Sequence, residues 1–196
     1  MYKLTNTMLQ NLEKDLRKFH ELFQGGRCQA WQLEELLAKA IRSDFGKVDR
    51  VLWKGNGHDI GCDIEVNDNV KIQVKSGVIK KDRLVLSGHR LGRFGQSFEE
   101  ITKFLNSNDY LLVAVPYLRE ENDNGNVHVY QIFYLDTKIL GLGDYRKWQK
   151  VGSKYVALNE YGVELSISPS MSWQVWWSLP LDIIPEESRT RKIEIQ

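Results

Sequence analysis

The chain has 196 residues, of which 42% are hydrophobic and 27% charged, and its 27 Lys and Arg against 26 Asp and Glu leave a formal net charge of +1. This composition is typical of a globular protein and excludes a disordered chain. Two cysteines are too few for a disulfide scaffold, and neither a membrane-length apolar run nor an apolar signal segment stands out. We therefore expect a cytoplasmic protein without a membrane partner.

Hydrophobic periodicity and turn residues predict an ordered series of helices and strands. Up to residue 116 the expected elements are helices at 7–24 and 28–43, strands at 48–53, 62–66, 70–76 and 83–87, a helix at 97–106 and a strand at 110–115. Further along we expect strands at 127–135, 163–167 and 172–179, and then a frayed, charged tail after 185. Without the extra elements, the first 116 residues run helix, strand, strand, strand, helix, strand.

Two of these strands, 62–66 and 70–76, are separated by a three-residue turn and predict a hairpin. One register pairs β-branched residues with one another, whereas a slip by one residue would oppose apolar and polar side chains throughout. The pairs in this register are Val66 with Val70 and Ile64 with Ile72. On the opposite face, the same register brings Asp63 next to Gln73, with Lys75 two residues further along. We expect these three side chains to cluster.

Carboxylate, amide and ammonium groups in this arrangement suit the hydrolysis of a phosphodiester bond. Such hydrolysis needs a divalent cation, an activated water and positive charge near the transition state. Mg²⁺ prefers oxygen ligands, which Asp63 and the Gln73 carbonyl can supply, and the Lys75 ammonium can orient a water. On the preceding helix, Glu34 lies at the edge of the apolar face and can reach into a cleft, whereas Glu35 points away.

With the order of elements around them, these residues resemble the PD-(D/E)XK restriction-endonuclease-like nucleases. The matching residues are Asp63 for the first acid, Gln73-Val74-Lys75 for the acid-x-Lys triplet, and Glu34 for the acid of the preceding helix. Gln73 replaces the second acid of the motif, a variant that some members carry, and Cys62 stands at the position of the Pro. The resemblance covers about residues 28–116.

The resemblance implies an α/β fold with a restriction-endonuclease-like core, an α-β-β-β-α-β mixed sheet flanked by helices. The residues beyond this core, 117–196, would form a C-terminal β-rich extension for recognition or dimerisation. One nuclease domain would then span residues 1–196. The catalytic residues would be Asp63, Gln73, Lys75 and Glu34, and the metal ligands Asp63, Gln73, Glu34 and the backbone carbonyl of Val74. The cofactor would be Mg²⁺, with Mn²⁺ as a substitute and Ca²⁺ as an ion that supports binding without cleavage.

A basic segment follows the proposed site and predicts a DNA-binding surface. Between residues 71 and 93 there are seven Lys and Arg and one acid, Asp82, so the local charge is seven minus one, or +6. Clusters of this kind bind phosphate groups. The expected DNA contacts are Lys80, Lys81, Arg83, His89, Arg90 and Arg93.

These observations predict a double-stranded DNA endonuclease, and a type II restriction endonuclease is the interpretation that we favour. Cutting both strands with one small site per chain predicts a homodimer. Within the same superfamily, a homing endonuclease and a Holliday-junction resolvase are the alternatives. A non-catalytic DNA-binding or protein-interaction module on the same fold is an alternative of another class.

Several of these residues also have an alternative interpretation as ordinary structural or surface residues. The polar side of the hairpin is compatible with an ordinary solvated face. Glu65, opposite Lys71, is compatible with a surface ion pair. Asp59 is a further acid close to the proposed metal site in the sequence. A zinc site at His58, Cys62 and His89 is disfavoured because these residues do not make a tetrahedral set. The tryptophans Trp173, Trp176 and Trp177 are more typical of a core strand than of a base-stacking or dimer surface.

Overall fold

Twelve strands form one mixed sheet, and three α-helices lie against it, in the residues that the computed structural model describes. These residues are 2–24, 26–44, 48–55, 62–122 and 125–196. The helices are α1 (Asn6–Leu22), α2 (Ala30–Arg42) and α3 (Phe98–Asn106). The strands are β1 (Val51–Trp53), β2 (Ile64–Val66), β3 (Val70–Lys80), β4 (Arg83–Arg90), β5 (Leu111–Asn122), β6 (Gly125–Tyr130), β7 (Phe133–Asp136), β8 (Gln149–Val151), β9 (Lys154–Leu158), β10 (Glu164–Ser168), β11 (Gln174–Pro180) and β12 (Ile193–Ile195).

The main path of the sheet has the order β12-β6-β5-β3-β4-β11-β10-β9-β8. Strand β2 joins β1 to β3, and β7 pairs with β5. The pair of β3 and β5 is parallel, and β4 and α3 lie between these two strands in the chain. The structure is therefore a mixed α/β protein, as predicted. No described helix is long and apolar enough to span a membrane.

Helices α1 and α2 cover one face of the sheet and form the first core. Apolar residues at four-residue spacing explain α1, whose Met8, Leu12 and Leu16 are buried. They pack in one cluster with residues of α2 and with Ile72 and Val74 of β3. The three helices begin and end within two residues of the predicted bounds.

Helix α3 covers the other face and forms the second core. Leu84 and Leu86 of β4 are fully buried there beside Ile101 of α3. Since successive side chains of a strand point to opposite faces, Gln73 and Lys75 of β3 lie on this second face. Within residues 70–75 of β3, the structure thus places the polar residues on one face and the apolar ones on the other.

The hairpin of β2 and β3 has the predicted register. Val66 lies opposite Val70, and Ile64 lies opposite Ile72. All four residues belong to the first core or pack against it. The alternation of β-branched residues therefore determines which side chains of this hairpin reach solvent.

The predicted strand at 127–135 is divided at Ile132 into β6 and β7. Both parts keep a single antiparallel register against β5, and the division falls beside Pro116, which has no N–H to donate. The residue opposite Pro116 in this register is Gln131, and its neighbour Ile132 donates to the Thr190 hydroxyl at 3.1 Å and accepts the Thr190 N–H at 2.9 Å. A proline on the partner strand thus explains the interruption.

The prediction of a frayed tail after residue 185 is wrong. Ile193 and Ile195 of β12 are buried in the first core, and β12 pairs with β6. The hairpin of β8 and β9, which turns at Gly152 with a φ of 59°, was not predicted either. Both segments are short and rich in charged residues, so their alternating apolar residues do not form a clear strand pattern.

The tryptophans of β11 are divided between the two faces of the sheet. Trp177 is buried in the second core and donates its indole N–H to the Leu140 carbonyl at 3.1 Å. Trp173 packs against the same core, and Trp176 is half-buried. The core interpretation is confirmed for Trp177.

Candidate active site

An opening along one edge of β3 forms the centre of the candidate site. Strand β2 pairs with residues 70–72 and β4 pairs with residues 77–80, while β5 occupies the other edge. Among the described residues, 73–76 therefore have no strand partner on the first edge. We call this opening the β3 notch.

Asp63 lies just before β2 and closes one side of the β3 notch. Its N–H donates to the Ile72 carbonyl at 2.9 Å, which fixes its backbone. Its Oδ2 accepts the backbone N–H of Val74 at 2.7 Å and the Nε2 of Gln73 at 2.5 Å. The Asp63 carboxylate therefore accepts the hydrogen bond of a backbone N–H that has no strand partner. The predicted contact between Asp63 and Gln73 is present.

Gln73 presents an unsatisfied oxygen inside the β3 notch. The residue is only 4% exposed, and its Oε1 is buried without a hydrogen-bond partner among the described residues. The carbonyl of Val74 faces the same edge as its N–H, because a strand residue directs both groups to one edge. A buried amide oxygen without a donor is destabilising unless a cation or a hydrogen-bond donor completes it.

Glu34 approaches the β3 notch from α2. Burial raises the pKa of Glu34 to about 7, and the Asp63 carboxylate adds to this increase, while Lys75 and the Trp53 indole oppose it. The indole N–H of Trp53 itself does not reach hydrogen-bond geometry with any described group. The next acid on the helix, Glu35, is exposed, as predicted from the helical face.

Lys75 completes the cluster from the middle of β3. Burial lowers the pKa of its ammonium group, and the carboxylates of Asp63 and Glu34 oppose this decrease. Burial also raises the pKa of Asp63, while Lys75 and the Val74 N–H oppose that increase. Within the described part of the chain Lys75 forms no ion pair at contact distance, so its ammonium group stays available for a further ligand.

A bulge in β4 brings His89 to the same site. Gly88 and His89 together oppose one residue of β11, Val175. The extra residue turns the His89 side chain to the face of Lys75, as bulges near functional sites commonly do. Burial and the charges of Lys75 and Arg93 lower the pKa of His89 to about 4.

Two aromatic residues at the site were missed in the sequence. Tyr110 precedes β5, and its hydroxyl lies 3.1 Å from His89 Nε2. Burial raises the pKa of Tyr110, and the Asp63 carboxylate adds to the increase. Trp53 acts on Glu34 from the end of β1. Neither residue belongs to a recognisable motif, and only the pairing of β3 with β5 and β2 with β1 brings them here.

The predicted DNA-binding residues fall into three groups. Lys80 and Lys81 lie at the exposed tip of the β3–β4 hairpin, far from the β3 notch. The guanidinium of Arg83 is held by the Ser178 hydroxyl at 2.7 Å, the Ser178 carbonyl at 2.6 Å and the Gly162 carbonyl at 3.1 Å. The third group consists of His89 and Arg90 at the end of β4 and Arg93 just after it, on the side of the β3 notch.

The remaining acids of the region do not join the cluster in the described part of the chain. Glu65 lies opposite Lys71 in the hairpin, but its carboxylate forms an ion pair with Lys54 at 3.5 Å. Asp59 and His58 lie outside the described residues. Cys62 is buried as a free thiol.

The oxygen atoms of the β3 notch fit a hard divalent cation. No group of three His, Cys, Asp or Glu side chains suited to a metal occurs among the described residues. The notch instead offers two carboxylates, Asp63 and Glu34, together with the unpartnered amide oxygen of Gln73 and the Val74 carbonyl. Mg²⁺ is usually bound by one or two carboxylates with water and phosphate as its other ligands, so this set is sufficient.

Comparison with known proteins gives no relative for this chain. No protein-family model, no curated protein and no solved structure matches it. The site must therefore be interpreted from its own geometry.

Proposed function

We propose that this chain is a Mg²⁺-dependent endonuclease that cuts double-stranded DNA at short sites, on a restriction-endonuclease-like core. The observation that carries this proposal is the convergence of Asp63, Gln73, Lys75 and Glu34 on the β3 notch. Two carboxylates, an amide oxygen and an ammonium group around an open strand edge are the groups that phosphodiester hydrolysis needs.

Asp63, Glu34, the Gln73 amide oxygen and the Val74 carbonyl would hold the cation at the notch. When bound, Mg²⁺ neutralises charge on the phosphate and lowers the pKa of water. The hydrogen bonds from Val74 and Gln73 to Asp63 Oδ2 fix the carboxylate before DNA arrives. Such fixed ligands keep the reorganisation that accompanies the reaction small.

Lys75 would act on the water and on the phosphate. Its Nζ carries hydrogen-bond donors that orient the attacking water for in-line displacement and stabilise the negative charge that develops on a phosphate oxygen. The products would be a 5′-phosphate and a 3′-hydroxyl. His89, whose Nε2 lies 3.1 Å from the Tyr110 hydroxyl, is close enough to Lys75 for the charge of that lysine to lower the His89 pKa.

A cleavage assay with mixed plasmid and phage DNA tests the reaction class. We expect discrete fragments with Mg²⁺ and none with EDTA, and the same loss of cleavage in Asp63→Ala. Intact DNA under all metal conditions would contradict the proposal and favour a non-catalytic binding module. Thermal unfolding of both proteins checks that the variant is folded.

The form of the substrate separates the nuclease alternatives. A restriction-type enzyme produces many fragments from phage DNA, whereas a homing endonuclease cuts at one long site and a junction resolvase cuts only branched DNA. We expect the first result. A homodimer, which positions two notches on the two strands, predicts that sedimentation with a DNA duplex gives two chains per duplex.

A further inference from the structure

We infer that Arg93 is a preorganised anchor for a DNA phosphate that lies next to the one held at the β3 notch. This inference rests on the proposed function. It selects one residue from the basic segment and assigns the direction in which the DNA strand leaves the site, towards the β4–α3 connection rather than towards the hairpin tip.

The guanidinium of Arg93 is held in place by two aromatic rings. Its Cζ lies 4.8 Å from the ring centroid of Phe94 and 4.8 Å from that of Phe104. The two rings are themselves in contact, with centroids 5.0 Å apart. Cation–π contacts of this kind position a guanidinium without consuming its hydrogen-bond donors.

The donors of Arg93 stay free for a phosphate. The residue is exposed, and it takes part in no ion pair or hydrogen bond among the described residues. Several other arginines of the described chain are engaged: Arg83 by carbonyl and hydroxyl groups, Arg50 by Asp68 at 2.9 Å and Arg146 by Asp144 at 2.7 Å. A planar guanidinium with unused donors favours bidentate binding of phosphate oxygens.

A continuous row of side chains connects Arg93 to the β3 notch. The ring of His89 lies 5.3 Å from that of Phe104, and the charges of Lys75 and Arg93 both act on His89. Arg93 and Lys75 therefore both lie near His89. A nucleic-acid strand with a phosphate at the notch would pass His89 and reach Arg93 next.

The hairpin tip lies in another direction. Lys81, in the turn that follows β3, is six residues beyond Lys75, which corresponds to about 20 Å at about 3.3 Å per residue. Strand β4 runs antiparallel to β3, so the chain leads back from the hairpin tip, and Arg93, which follows β4, lies on the side of the β3 notch. The acids Glu99 and Glu100 in the first turn of α3 disfavour a phosphate at that helix terminus, so the positive charge on this side comes from Arg93 and the exposed Arg90. Of these two arginines, Arg93 is the one whose guanidinium lies over aromatic rings.

The test is the salt dependence of DNA binding, measured by fluorescence anisotropy with a short labelled duplex of mixed sequence in Ca²⁺. We expect Arg93→Ala to weaken binding several-fold and to make the slope of log affinity against log salt less steep by about 1, as for the loss of one phosphate contact. Arg93→Lys, which keeps the charge, should retain the slope. Arg50→Ala, an exposed arginine that is already paired, is the matched control and should retain both.

Three results would overturn the inference. One is an unchanged slope in Arg93→Ala, and another is a loss that depends on the sequence of the duplex, which would indicate a base contact instead. A loss of equal size in Arg50→Ala would show that only net charge matters. Failure of the proposed function is distinct, because it would appear as absence of Mg²⁺-dependent cleavage by the unaltered protein.

Discussion

Gln73 and Asp63 are joined by a 2.5 Å hydrogen bond from the amide Nε2 to the carboxylate Oδ2. The bond orients the amide so that its Oε1 is buried without a partner among the described residues. A carboxylate at this position would instead repel Asp63. The amide therefore stabilises the metal-free site, and it would contribute a neutral ligand to a bound cation.

This relationship predicts opposite effects of Gln73→Glu on the metal-free and metal-bound protein. The second carboxylate should lower the melting temperature without metal, because two like charges then share a buried site. It should increase the rise in melting temperature that Ca²⁺ causes, because tighter binding to the folded state stabilises it further. Thermal unfolding with EDTA and with Ca²⁺ measures both effects. Gln73→Ala is the control. The same rise in melting temperature with Ca²⁺ in the parent and in both variants would contradict the prediction.

Glu34 and Glu35 are neighbouring acids on α2, and we expect only Glu34 to contribute to cleavage. Glu34 is partly buried and the charges of Asp63 and Lys75 act on its pKa, whereas Glu35 is exposed. Glu34→Gln should lower the rate of Mg²⁺-dependent cleavage by about 10- to 100-fold, the range for groups that support a metal site. Glu35→Gln should cleave like the parent protein. Equal rates for the two variants would remove Glu34 from the site.

Gly88 is needed where β4 bulges towards the site. A Cβ at this position would lie 2.2 Å and 2.4 Å from two ring atoms of Trp177 and 2.6 Å from a methyl of Val175. Gly88→Ala should therefore lower the free energy of unfolding by about 1–3 kcal/mol through overpacking. Gly92→Ala is the control, because its Cβ would meet only Ser172 at 3.4 Å. Denaturant unfolding measures both, and equal stability of the two variants would contradict the packing.

His20 makes the stability of the protein dependent on pH. Burial lowers the pKa of His20 to about 4, and His128, stacked on it at 3.7 Å between ring centroids, adds to the decrease. The unfolded state binds a proton near pH 6.5, so the free energy of unfolding should fall as the pH falls from 6.5 towards about 4.

The variant His20→Gln tests this source of pH dependence. His20 Nε2 lies 2.9 Å from the Tyr130 hydroxyl, and the glutamine amide can replace this contact. Because glutamine does not titrate, the variant should lose less stability than the parent between pH 7 and pH 5. His128 still titrates in it, so part of the dependence should stay. The prediction fails if the two proteins show parallel stability–pH curves in denaturant unfolding.

The hairpin and its polar cluster were predictable because their cause is local. The β-branched residues of β2 and β3 alternate strictly, so only one register buries all of them, and that register places Asp63 beside Gln73. Glu34 followed from the angular position of a residue on a helix. These features need only the spacing of residues that lie close together in the chain.

The β3 notch was not predictable because it depends on pairing between distant segments. It exists since β2 and β4 share one edge of β3 without meeting, and the ladder with β4 starts only at Gly77. The bulge that turns His89 to the site is likewise a property of the pairing of β4 with β11. Strand β12 was missed because Ile193 and Ile195 alternate with charged residues over too short a length to outweigh a charged tail.

The most direct test of the account is the rate of Mg²⁺-dependent DNA cleavage by Lys75→Ala under single-turnover conditions. Lys150→Ala, which removes an exposed lysine from the remote edge strand β8, is the control. Because Lys75 would stabilise charge that develops in the transition state, we expect its loss to slow cleavage by about 100- to 1000-fold while Ca²⁺-supported DNA binding persists. Cleavage by Lys75→Ala at the rate of the parent and of Lys150→Ala would contradict the account.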